Sequence, residues 1–143
     1  MKLEWIILAE GFGTASNGAV TAIGINQHII VSPTLPMTTK RGVLAHFIDA
    51  EPDIAGKELE VSLTVSDPNG KAILANTLPA RLSPVPQWPG IPPGVDFFLE
   101  IPLRLSEYGA YEITFSVQLP EAEPVSGRVP FYVQGPLPLS EGQ

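Results

Sequence analysis

Two histidines, His28 and His46, are the only side chains here suited to proton transfer near neutrality, and there is no cysteine. A zinc site would need a third nitrogen, sulfur or carboxylate at short spacing. In His46-Phe47-Ile48-Asp49 the odd spacing puts His46 and Asp49 on opposite faces of a strand, so the two cannot chelate from regular β geometry. His46 reads as a half-buried strand residue. The run Asp49-Ala50-Glu51-Pro52-Asp53 sets three carboxylates at alternate positions, the kind of oxygen-rich loop calcium takes. It lacks a full ligand set and the glycine of a calcium loop, so it reads as a solvated acidic turn. No G-x-S-x-G elbow is present, and neither histidine has a nucleophile in suggestive context. Gly11-Phe12-Gly13 lacks the lysine and following helix of a phosphate loop and reads as a loop between strands. Fifteen acidic residues offer many carboxylate pairs for glycoside chemistry, and spacing selects none. No catalytic constellation, metal or cofactor is expected.

Binding chemistry has one clear candidate. Trp88 lies in Val85-Pro86-Gln87-Trp88-Pro89-Gly90-Ile91-Pro92-Pro93-Gly94, a stiff proline-dense segment within a surface loop spanning 79–95. A rigidly held aromatic loses little entropy on binding, so Trp88 with Pro86, Pro89 and Ile91 forms a candidate interaction surface. The alternative is a clasp, in which Trp88 folds down over one open end of the domain. Phe12 and Met37, both read as loop residues, are possible additions to the surface.

The elements that must position these residues are strands. In Lys57–Val65, Leu59, Val61, Leu63 and Val65 alternate with polar residues. In Asp96–Leu105, Phe97, Leu99, Ile101, Leu103 and Leu105 alternate with Asp96, Phe98, Glu100, Pro102 and Arg104. In Tyr111–Leu119, Tyr111, Ile113, Phe115, Val117 and Leu119 alternate with Glu112, Thr114, Ser116 and Gln118. Period-two alternation is the mark of antiparallel strands with one wet face. Leu3–Glu10, Ala19–Asn26 and Val43–Ala50 mix both faces, and Arg128–Gln134 is a short last strand. Pro68 and Gly70 in Asp67-Pro68-Asn69-Gly70 suit a hairpin turn between Val61–Ser66 and Lys71–Ala75. Pro102 and Pro130 donate no ladder hydrogen bond, which predicts sheet edges or bulges.

These elements predict an all-β fold: a two-layer antiparallel β-sandwich of 7–8 strands, immunoglobulin-like, with one domain over 1–134 and a flexible tail over 135–143. Glu107-Tyr108-Gly109-Ala110-Tyr111 has the layout of a tyrosine corner, with Tyr111 bonding back to backbone upstream and Ile113 filling the inward volume that antibody domains give to cysteine. Tyr111 is thus expected to be structural.

The order of KLEWIILAE, DPNGK, PGIPPG and GAYEITFSV along the chain resembles a family of short bacterial proteins known as a domain of unknown function. The resemblance implies a small cytoplasmic β-sandwich and brings no activity or catalytic residue. At the start, Glu4 interrupts a basic region and Trp5–Ala9 is too short for a signal core, so the segment reads as a first strand. No apolar run approaches a membrane span. The net charge of −7 opposes nucleic acid and anionic lipid. The resulting expectation is a non-catalytic interaction module, binding protein or itself through a sheet edge or the 79–95 loop. Its rivals are a small-ligand or carbohydrate-binding domain and a hydrolase with an unrecognised site.

Overall fold

The computed structural model describes residues 1–17, 19–25, 28–50, 56–81, 88–91 and 93–139. Among them there is no helix and there are ten strands in three sheets. β1 (Lys2–Ala9), β5 (Met37–Ile48) and β8 (Gly94–Leu105) form one sheet, with β5 central. β4 (Ile29–Val31), β10 (Val125–Gln134), β9 (Gly109–Gln118), β6 (Glu58–Ser66) and β7 (Ala72–Arg81) form the second, in that order. β2 (Gly11–Thr14) and β3 (Val20–Ile23) make a separate hairpin. All pairings are antiparallel except β4 on β10.

The two larger sheets share one core. The inward residues Leu59, Val61, Leu63 and Val65 of β6, Tyr111, Ile113, Phe115 and Val117 of β9, and Ile101, Leu103 and Leu105 of β8 are buried. Those of β6 and β9 share the core with the β8 residues and with Leu8, Val43, Ala45 and Phe47, all of the smaller sheet. Each such side chain contributes roughly 1.5–3 kcal/mol by leaving water. Phe47 and Phe97 on one sheet and Phe115 on the other form a ring cluster across the interface, with centroids 5.6–6.1 Å apart.

Ten strands replace the seven or eight expected, and the two additions fall where periodicity is silent. Gly11–Thr14, read as a loop, is β2; four residues with two glycines carry no alternation. Ile29–Val31 is β4, too short to register a pattern. The 79–95 loop is also shorter than expected, because β7 runs on to Arg81 and β8 begins at Gly94.

Pro102 lies on β8, which is an edge strand. Pro130 lies on an inner strand, but β4 covers only Tyr132–Gln134 of it. The Tyr132 N–H donates to the His28 carbonyl on that side (2.6 Å), and Pro130, two residues earlier, points its missing donor the same way, past the end of β4.

The two sequence turns meet in space. Asp67 Oδ1 accepts the N–H groups of Asn69 and Lys71, both at 2.9 Å. Asn69 Nδ2 then donates to Glu107 Oε2 at 2.7 Å. Gly109, at φ +132°, presses against Pro68, leaving a Cβ only 3.0 Å from Pro68 Cγ. Beside it, the Tyr111 hydroxyl donates to the Glu107 carbonyl (2.9 Å) and accepts the Glu107 N–H (3.2 Å). Residues 135–139 carry no regular structure, with Leu137 and Leu139 exposed, and 140–143 lie outside the described residues. No helix among the described residues is long and apolar enough to cross a membrane.

Candidate functional site

The outer face of the β1-β5-β8 sheet is not the polar surface expected of a wet sheet face. Its cause begins in β1. Leu3 and Trp5 share parity in sequence, yet a register shift between them opposes Leu3 to Phe47 and Trp5 to His46. A bulge of this kind re-aims the residues that follow it. Leu3 packs against the core while Trp5 turns outward, 39% exposed. Three cross-strand rows result: Trp5, His46 and Asp96; Ile7, Leu44 and Phe98; Ala9, Gly42 and Glu100.

Two glycines flatten this face. A Cβ on Gly94 would sit 2.8 Å from His46 Cε1, and one on Gly42 would sit 2.4 Å from Phe12 Cε2. The imidazole and the Phe12 ring therefore lie directly on backbone. Phe12 is carried there by the β2–β3 hairpin, whose Phe12 N–H donates to Glu100 Oε1 at 3.2 Å. Phe98, 44% exposed, meets Phe12 edge to face with centroids 5.8 Å apart. Trp5 stacks on His46 at 4.9 Å and 20°.

His46 bridges all three strands. Its Nδ1 lies 2.6 Å from Asp96 Oδ1 and its Nε2 lies 3.3 Å from Glu4 Oε2. A carboxylate oxygen thus lies beside each ring nitrogen, and the imidazole ties the three strands together. The two carboxylates flank opposite sides of the ring and do not converge on a point. Among the described residues no group of three His, Cys, Asp or Glu side chains could hold a metal ion. Asp49 sits apart, at φ +54° and paired with Lys2 at 3.2 Å. Glu51 and Asp53 lie outside the described residues.

His28 is a backbone tie on the other sheet, its Nδ1 lying 2.9 Å from the Pro130 carbonyl. With Ile29, Ala110, Pro130, Phe131 and Tyr132 it lines a shallow, nearly all-apolar concavity of about 240 Å³.

Trp88 and Ile91 close a turn over Pro89-Gly90, with the Ile91 N–H donating to the Trp88 carbonyl at 3.1 Å and Gly90 at φ +77°. Both are exposed, at 65% and 64%. Trp88 therefore does not close over the core as a clasp would. Pro89 is exposed beside it, while Pro86 lies outside the described residues. Of the two added candidates, Met37 is the first residue of β5 and packs against the core, and Phe12 belongs to the sheet face already described.

Sequence reasoning missed Trp5, Glu4, Asp96, Phe98 and Glu100 as one surface. One signal was available: Phe98 is the single aromatic on the polar parity of Asp96–Leu105. A comparison with protein-family models found none that matches the chain, and no curated protein matches it in sequence.

Proposed function

We propose that this chain is a non-catalytic interaction module with an immunoglobulin-like sandwich fold, binding a protein partner through the outer face of the β1-β5-β8 sheet. The observation that carries the reading is the aromatic paving of that face by Trp5, His46, Phe12 and Phe98, where an unpartnered sheet face is ordinarily polar. Glycines at 42 and 94 keep it flat, and partner surfaces of this type rely on aromatic anchors. The Trp88 turn is its neighbour in sequence: Ile91 stands three residues before Gly94, within about 10 Å along the chain. The fold assignment is supported by two sheets on one core, antiparallel but for the β4–β10 pair, and by the Tyr111 hydrogen bonds to Glu107 at the start of β9. A cytoplasmic setting belongs to the proposal; the lack of cysteine is compatible with it, as with any compartment.

A second reading, pairing with another copy along β4, is favoured by Ile29 and Val31, exposed at 57% and 55% on an edge strand.

Selection of a random displayed-peptide library on the intact protein separates the two. Binders that lose about tenfold or more on Phe98→Ala, with unfolding little changed, are expected. Binders indifferent to both Phe98→Ala and Trp88→Ala would remove the sheet face. Sedimentation showing a concentration-dependent dimer abolished by Ile29→Lys would favour the β4 reading instead.

A further inference from the structure

We infer that the partner segment docking on the β1-β5-β8 face is basic, presenting arginine or lysine to Trp5 and Phe98. This rests on the reading of that face as a docking surface and adds the chemistry of what covers it.

Charge decides between occupants. Asp96 and Glu100 stand in the three cross-strand rows, Glu4 reaches His46 from the bulge before Trp5, and Glu4 and Asp96 keep about half their side-chain surface in water. No lysine or arginine occupies those rows. Lys2, at the near end, is held by Asp49, and Lys40 and Arg104 lie beyond the Gly42 row at the far end. A neutral apolar partner would strip water from the exposed parts of these carboxylates, each of which has one oxygen engaged, by His46 or the Phe12 N–H, and would put no donor on the other. A second copy, face to face, would set carboxylate against carboxylate in a chain already at −7. Anionic lipid and nucleic acid meet the same repulsion. A guanidinium or ammonium group satisfies the carboxylates and also lies favourably over an indole or phenyl ring. One face of Trp5 is taken by His46, and Glu4, the preceding residue, reaches the same imidazole. The Phe12–Phe98 pair offers a second aromatic site, and Glu100 borders it by holding the Phe12 N–H.

The test uses the intact chain carrying Trp88→Phe, which keeps an aromatic on that turn and makes Trp5 the remaining tryptophan. The probe is a blocked seven-residue peptide alternating glycine and arginine, compared with its glutamine and glutamate counterparts. Saturable change in Trp5 fluorescence with the arginine peptide alone is expected. Affinity should fall about tenfold between low salt and about 0.5 M salt. It should also fall about tenfold for Trp5→Ala, read by amide shifts, and for Glu4→Gln with Glu100→Gln, where the amide oxygen of residue 100 still accepts the Phe12 N–H. Equal binding of the glutamine or glutamate peptide, binding untouched by the charge-neutral double variant, or no binding would each overturn the inference. So would binding of a neutral oligosaccharide in place of the arginine peptide. Non-basic winners from the displayed library, still sensitive to Phe98→Ala, would overturn the basic partner while leaving the docking face in place.

Discussion

Phe115→Ala is expected to cost about 3–5 kcal/mol, the range for emptying a phenylalanine site in a packed core. Phe115 is fully buried and is the one ring from the five-stranded sheet that touches both Phe47 and Phe97 on the other, at 6.1 and 6.0 Å. Its removal opens a void between layers that neither sheet can close alone, because each is tied by its own backbone ladder. Domains of this size hold roughly 5–15 kcal/mol in all, so the variant should unfold at much lower urea with an unchanged m value. Phe98→Ala, at an exposed position in the same strand as Phe97, should cost no more than about 1 kcal/mol. Similar losses from the two would mean that the sheets do not share this core.

Tyr111 separates packing from hydrogen bonding. Its ring stacks on Phe131 at 5.1 Å and its hydroxyl closes both backbone groups of Glu107. Tyr111→Ala should cost about 3–5 kcal/mol, as loss of a buried aromatic does. Tyr111→Phe keeps the ring and leaves two backbone groups of a part-buried corner without their partner, at about 1–3 kcal/mol. The Phe variant should also speed amide exchange at Glu107 and along the turn at Pro68–Gly70, because Asn69 is anchored to the Glu107 side chain. Exchange unchanged at both turns would show that the corner does not couple them.

The strips that build the core could be read directly from the chain. β6, β8 and β9 alternate cleanly, and their inward residues are the buried or half-buried ones. The β6–β7 hairpin is equally plain, since Pro68 and Gly70 meet distinct backbone demands. What stayed hidden has specific causes. Trp5 could not be placed outward from parity, because the bulge after Leu3 inverts the faces of β1. His46 and Asp96 are 50 residues apart, and only the β5–β8 register makes them neighbours. Gly42 and Gly94 fall outside the strands read from alternation, and the rings lying over them come together only in the folded sheet. Trp88 stood out because its flanking prolines are a local signal, whereas the sheet face is a product of three strands meeting.

The outward placement of Trp5 is tested most directly by nuclear Overhauser contacts in the intact protein. Cross-peaks from the Trp5 indole to the His46 ring are expected, together with a Gly42 Hα shifted upfield beneath the Phe12 ring. Cross-peaks from Trp5 to the side chains of Leu8 or Phe47 instead would contradict the aromatic outer face and the docking role drawn from it.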